Sequence, residues 1–406
     1  MFTARKIRLD ELPETRRLFS LAFEFPFPEG ADIPDPEAFA RKMIDESRDR
    51  AEKFWEETWA AFTETGEMAA YFSALPYTQY FDGQTVPMMG IGGVSSLPQH
   101  RRGGAIRRCF EGALRDMYER GTLFSYLYPF NEKFYGKFGY ARCCDQMLWT
   151  LDMTRLPSGD YPGTFHLYDG GEDLSAFQAV YEACAPRYNG MIRREEYDWA
   201  KVRDAKPFEN TRYGYLYRNR EGRPTGYMVF KKTPELAMDC SEFLFTDREA
   251  LDALTGFATR FAAYYKTLCF CAPADLDLSY YCDNYAHSLS ARQLITNGMT
   301  RVVNVRRALE LARYRGSGRA VIAVDDAMLP ENSGAFRVEF EDGKALSVQP
   351  TTDAPDAELP IGAFSAALMG CLPVEQMVWR PDVAVHCPEA VAPVFYRKPN
   401  WICNHF

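Results

Sequence analysis

Residues 94–106 read Val94-Ser-Ser-Leu-Pro-Gln-His-Arg-Arg-Gly-Gly-Ala-Ile106. Before them, residues 85–97 have the texture of a strand. After them, Ile106, Phe110, Ala113 and Met117 recur at i, i+4, i+7 and i+11, one face of a helix. The stretch is a strand-to-helix crossing with two arginines and two glycines at the turn. Glycine lets backbone approach a ligand closely, and a helix N-terminus offers unpaired N–H groups at the positive end of its dipole. Arg101 and Arg102 add cationic reach. Together these features suit a pyrophosphate. A basic loop ahead of a frayed helix has the same composition, and two glycines alone do not separate the readings.

Outward from this loop an order of elements appears. A strand is expected at 2–8, followed by a helix capped by Asp10 that carries Leu12, Leu18 and Ala22. A second helix opens at Asp35-Pro36 and runs to about residue 54. Strands follow at 58–63, 69–81 and 85–97, with Asp82-Gly83 as a hairpin turn. Beyond the crossing helix, ended by Gly121, come a buried strand at 123–128 and a short helix at 132–138. The order is β-α-α-β-β-β-α-β-α. Residues 213–271 repeat β-β-β-α-β. From about 299 the texture changes again, with strands at 300–305, 319–324, 334–341 and 345–349, helices at 307–314 and 360–370, and a turn at Asp342-Gly343.

The chain has 406 residues, too many for one core. Its net charge of −9 disfavours a general nucleic-acid binder, which needs a basic face. No apolar run approaches the ~18 residues of a membrane helix, and the N-terminus lacks the apolar region of a signal peptide. The five histidines are scattered, so no metal is expected. The 11 cysteines are irregularly spaced and read as reduced thiols of a cytoplasmic protein.

The nine-element order, with an Arg-x-x-Gly-x-(small) loop between its fourth strand and third helix, resembles the GNAT N-acetyltransferases. Arg101, Arg102, Gly103, Gly104, Ala105 and Ile106 align with that family's acetyl-CoA pyrophosphate loop. Ile106 departs from its usual Gly or Ala and is expected to crowd the last phosphate contact. Asn131 and the run Phe134-Tyr135-Gly136-Lys137-Phe138-Gly139-Tyr140 resemble its second motif. Twin GNAT-like halves, a third domain of sterol-carrier-protein type and a terminal Phe406 look more narrowly like the Eis family of aminoglycoside and lysine N-acetyltransferases.

The resemblance implies an α/β fold of mixed sheets: a catalytic GNAT domain at 1–150, a degenerate GNAT-like domain at 151–292 and a sterol-carrier-protein-like domain at 293–406. It implies acetyl-CoA as co-substrate, a primary amine as acceptor (an aminoglycoside-like polycation, another small amine or a lysine) and a homo-hexamer. Tyr135 becomes the general acid and the Phe406 carboxylate the general base. A non-catalytic CoA- or lipid-binding module, or a scaffold, is the alternative and would need neither group.

The residues support this chemistry on their own terms. Acetyl transfer from a thioester to an amine requires a proton for the departing thiolate. A thiol and a phenol titrate near ~8.5 and ~10, so Tyr135 is a sensible donor, although most of the 24 tyrosines must serve packing. Asn131 can bond the pantetheine amide or cap its helix, and one residue can do both. Backbone groups of Val94, Ser95 and Ser96 are expected to hold the pantetheine arm, with Gly90, Gly92 and Gly93 loosening the strand into a bulge or splay. The second copy has only Thr246-Asp247 where the cradle would be, and Asp247 would repel phosphate. One active site per chain follows. Trp401, Ile402 and Phe406 are apolar, so the tail is expected to dock into the protein. Glu24, Glu29, Asp32, Asp35 and Glu37 line either a mouth for a cationic acceptor or a solvated loop. Trp55 and Trp59 read either as walls of the acceptor site or, the better reading, as core.

Overall fold

The computed structural model describes residues 2–24, 54–157, 161–171, 173–296 and 298–404. The helix expected from Asp35 lies outside them, as do Glu29, Asp32, Glu37, His405 and Phe406.

Asp82-Gly83 makes the hairpin its sequence demands. Both residues have positive φ (49° and 79°), the geometry of a turn whose twist matches the strands it joins. Asp342-Gly343 repeats it at 48° and 77°. The first hairpin pairs β3 (Met68–Phe81) with β4 (Gln84–Ser96). It forms the centre of a mixed sheet with β1 (Thr3–Lys6), β2 (Thr58–Phe62) and β5 (Phe124–Leu127). Helix α1 (Leu12–Phe23) precedes β2, and helix α2 (Ala105–Glu119) crosses from β4 to the parallel β5. The periodic face of α2 buries Cys109, Phe110, Ala113 and Met117 against this sheet. Trp59 packs against Gly112 so closely that a Cβ there would lie 2.3 Å from its ring, in line with its reading as core.

A second mixed sheet holds β7 (Gln146–Asp152), β8 (Thr164–Tyr168), β9 (Tyr213–Arg218), β10 (Pro224–Lys232), β11 (Ala237–Phe245), β12 (Thr267–Pro273) and β13 (Ala291–Ile295). A third holds β15 (Gly318–Asp325), β16 (Gly334–Glu341), β17 (Lys344–Thr351), β18 (Ala357–Pro360) and β19 (Ala384–Val385). The expected α/β class of three units therefore stands.

The strand pairings do not follow the divisions expected at 150 and 292. β7 begins at Gln146 yet pairs with β12 and β13 in the second sheet. β14 (Gly298–Val302), expected in the third domain, lies between β5 and β6 (Ala141–Cys143) in the first sheet. Every residue of β14 is buried, and Gly298 allows the Tyr126 ring to lie where a Cβ would be 2.4 Å from its hydroxyl. Burial on both faces suits a central strand, so this segment gains most by filling that gap.

Candidate active site

The parallel pairing of β4 with β5 runs from Met88–Phe124 to Ile91–Leu127 and stops. Beyond Ile91 the edge of β4 that faced β5 has no strand partner among the described residues. On its other edge β4 bulges: Tyr71 pairs with Ser95 but Ser73 with Gly92, and Gly93 adopts a φ of 66°. The glycine-rich run thus opens a wedge lined by backbone of Gly92–Ser96, where a splay was expected. Val94 packs on the first core and Ser95 is buried, its hydroxyl donating to the Gly93 carbonyl at 3.0 Å.

One end of the wedge meets the start of α2. Residues 98–100 make a single turn, and the N–H of Gly103 donates to the His100 carbonyl at 3.2 Å. The His100 ring is held by Glu67 at 2.8 Å and by the edge of Phe2. Gly104, at φ 92°, is the N-cap residue, and no side chain caps this end of the helix. A Cβ on Gly104 would meet nothing within 4 Å, so its backbone faces open space. Arg101 and Arg102 are exposed and form no ion pair with any described residue. Ala105 is buried. Ile106, expected to crowd the site, turns its side chain onto the first core. An uncapped helix end, open backbone and two exposed guanidinium groups fit a pyrophosphate.

Tyr135 stands on helix α3 (Glu132–Gly136), which follows β5. It is 2% exposed, set edge-on against Phe110, Phe130 and Phe134. Burial, with a smaller contribution from Tyr140, raises its phenol above the usual value. Nearby, Tyr140 and Ser125 share a 2.6 Å hydrogen bond, and the Ser125 hydroxyl lies 3.1 Å from the Met89 carbonyl. Asn131 is the cap of α3: its Oδ1 accepts from the Phe134 N–H at 2.9 Å, which decides one of its two readings.

The tail docks as far as it is described. Trp401, Ile402 and Asn404 are buried. The Tyr128 hydroxyl, just past β5, donates to the Asn404 carbonyl. The Asn404 side-chain oxygen accepts from Arg194 Nε at 3.2 Å and from the Tyr181 hydroxyl at 3.3 Å. Lys201 Nζ reaches the Cys403 carbonyl at 3.2 Å. Arg194 is itself enclosed, paired with Glu242 at 2.7 and 3.0 Å and laid over Tyr181 and Trp199. Sequence reading missed Tyr128, Tyr181 and Arg194 because their relation to the tail depends on chain more than two hundred residues away.

In the second unit the corresponding helix, α5 (Arg248–Thr259; α4 is Ser175–Cys184), is capped by Asp247, whose carboxylate accepts from the Ala250 N–H at 2.9 Å. A carboxylate sits where a phosphate would have to go.

Comparison with known proteins agrees with this geometry. Residues 3–143 and 190–302 each match models of the acetyltransferase (GNAT) domain, and residues 305–395 match the sterol carrier protein domain. An uncharacterized N-acetyltransferase from Streptomyces avermitilis is 28% identical over 313 residues, 71% of this chain and 73% of the relative. Another, from Streptomyces coelicolor, is 26% identical over 71% of this chain and 72% of its own. Among solved structures, a GCN5-related N-acetyltransferase from Anabaena variabilis superposes with a TM-score of 0.84 at 19% identity over the whole of both chains. Eis1 from Mycobacterium abscessus does so at 0.79 and 18%, again over both whole chains. The chain is an acyltransferase of the GNAT N-acetyltransferase family, with the Eis-like order of two GNAT domains and a sterol-carrier-protein-like domain. That fold implies use of acetyl-CoA. Among the described residues no helix is long and apolar enough to cross a membrane.

Proposed function

We propose that the protein transfers the acetyl group of acetyl-CoA to a primary amine, by direct attack within a ternary complex. The observation that carries this reading is the wedge between β4 and β5 opening onto the uncapped N-terminus of α2. Backbone of Val94, Ser95 and Ser96 holds the pantetheine arm. Arg101, Arg102 and the amides of Gly103, Gly104, Ala105 and Ile106 hold the pyrophosphate. Asn131 keeps α3 in place through its cap. Tyr135 donates a proton to the departing thiolate; its phenol, shifted upward by burial, is in the acid form at neutral pH.

The terminal carboxylate of Phe406 takes up the proton released by the amine. This role comes from the resemblance, and it is supported by the burial of the tail through Asn404 beside Tyr128. The acceptor class is an aminoglycoside-like polycation, another small amine or a lysine. A hexamer and a cytoplasmic location complete the reading; eleven unpaired cysteines favour a reducing compartment.

The test is thiol release from acetyl-CoA against a panel of polyamines, aminoglycosides and lysine peptides. Amine-dependent turnover is expected. Acetyl-CoA binding without turnover on any amine would favour a binding module instead. One glycine added after Phe406 displaces the carboxylate by ~3.5 Å and is expected to cut turnover severely, whereas an N-terminal tag should not. A folded, fully active extended protein would assign the base to a side chain or water.

A further inference from the structure

Arg301 lies on β14, the strand that reaches the first sheet from beyond the second unit. Its side chain is fully enclosed. Nη2 contacts both carboxylate oxygens of Asp326, at 2.8 and 2.7 Å. Nη1 donates at 2.7 Å to the carbonyl of Phe138, three residues beyond Tyr135. Nε is enclosed with no partner among the described residues. Asp326 is itself fixed, accepting from the Asn332 amide at 2.9 Å and from the N–H groups of Met328 and Leu329.

The segment that Arg301 grips is the end of the Tyr135 helix. The Tyr135 carbonyl accepts from the N–H of Phe138 at 2.9 Å and of Tyr140 at 3.4 Å, and Gly136 accepts from Gly139. Gly139 turns the chain at φ 82°, and a Cβ there would lie 1.8 Å from Arg301 Nη1. Arg301 therefore has its place only because residue 139 is glycine. The Phe138 carbonyl lies in the turn just past α3, beyond its C-cap Lys137, and Arg301 is the cation that pairs with it. On the opposite side Phe138 stacks on Phe110 at 4.3 Å, the ring that also borders Tyr135.

A buried ion pair is weak evidence for stability, since apolar residues of the same volume often do as well or better. Its presence here, with Nε unpartnered among the described residues, calls for another reason. We propose that Arg301, held by Asp326, is a positioning residue for Tyr135: it fixes the end of α3 and so the placement of the phenol. The third unit acts on the reaction through this contact. The proposal rests on the reading of Tyr135 as the acid.

Removing one partner alone leaves a buried charge, so the informative variant is Arg301→Met with Asp326→Asn. With acetyl-CoA and a responsive amine, kcat is expected to fall roughly 10–100-fold, with KM for acetyl-CoA changed less than about threefold and folding confirmed by thermal melt. Arg301→Lys, which keeps the charge, should recover part of the loss, and it carries the test if the double variant does not fold. The decisive readout is coupling. In a Tyr135→Phe background the same substitutions should lower kcat no further, because the group they position is gone. A folded variant with unchanged kcat, or an equal further loss in the Tyr135→Phe background, overturns the proposal. Tyr135→Phe that is itself fully active removes Tyr135 as the acid and the positioning role with it.

Discussion

Tyr135, the acid of the proposed reaction, is also a packing residue. Three phenyl rings surround it, and burial raises its phenol above the usual value. Tyr135→Phe keeps the packing and removes the hydroxyl, so kcat should fall by ~10²–10⁴ while acetyl-CoA affinity holds; steady-state kinetics and calorimetric titration check the two halves. The sign of the shift also fixes a pH expectation. A phenol acts as acid only while protonated, and raising its pKa extends that range upward. Ionisation of Tyr135 therefore cannot lower kcat below about pH 10. A kcat profile from pH 6 to 10 should lack a falling limb on its alkaline side, and an inflection near 8 would point to another acid. The sequence marked Tyr135 because its motif is local. Arg301 carried no such mark: in Met299-Thr-Arg-Val-Val303 it is one cation in an apolar run, and only the fold brings Asp326 to it.

At the scale of elements, those with their own punctuation were legible. The two Asp-Gly hairpins and the periodic helix after the cradle stand where the residues put them. Helix α5 of the second unit ends at Thr259, because Arg260, Phe261 and Ala262 donate to carbonyls three residues back and tighten the chain into turns. The cradle is the element whose function depends most on local geometry. Gly104 sits at φ 92°, so Gly104→Ala adds strain without blocking space, whereas Gly104→Asp also sets a carboxylate before the helix N-terminus. Titration with acetyl-CoA should show a modest loss for Ala and no measurable binding for Asp combined with Arg101→Ala. Equal affinities across the series would detach this loop from the cofactor.

Across the whole molecule, the second unit caps its crossing helix with Asp247 and holds the tail. Arg194 and Glu242 are 1% and 0% exposed, and breaking such a pair from one side costs about 3–5 kcal/mol. Glu242→Gln should lower unfolding stability by that order in denaturant melts. Burial alone would raise the Glu242 pKa, but the charge and hydrogen bonds of Arg194 outweigh it and the net shift is downward. A depressed carboxylate stabilises the fold above its unfolded value, about 4.3, and loses that contribution as pH falls below it. The wild-type protein should therefore lose more stability than Glu242→Gln between pH 5 and 3. Asp82 shows the same joining of units at a hairpin tip: its carboxylate accepts from Lys398 at 2.6 Å, from the Arg313 N–H at 2.7 Å and from Asn189 at 3.1 Å. The divisions drawn from sequence could not anticipate such ties, since strand order and long-range pairing leave no local signature.

The place of β14 has a consequence for how the chain is made. A ribosome releases the N-terminal end first, and the first sheet has a gap between β5 and β6 until Val302 emerges. At ~5–20 residues per second, the chain between Cys143 and Val302 takes roughly 8–32 s to synthesise. For that interval the nascent first unit carries two open strand edges beside an apolar core, while the second unit is completed behind it. The enzyme's own translation schedule thus sets how long these edges stand open, and slowing elongation across residues 144–297 would lengthen that exposure without changing a single side chain.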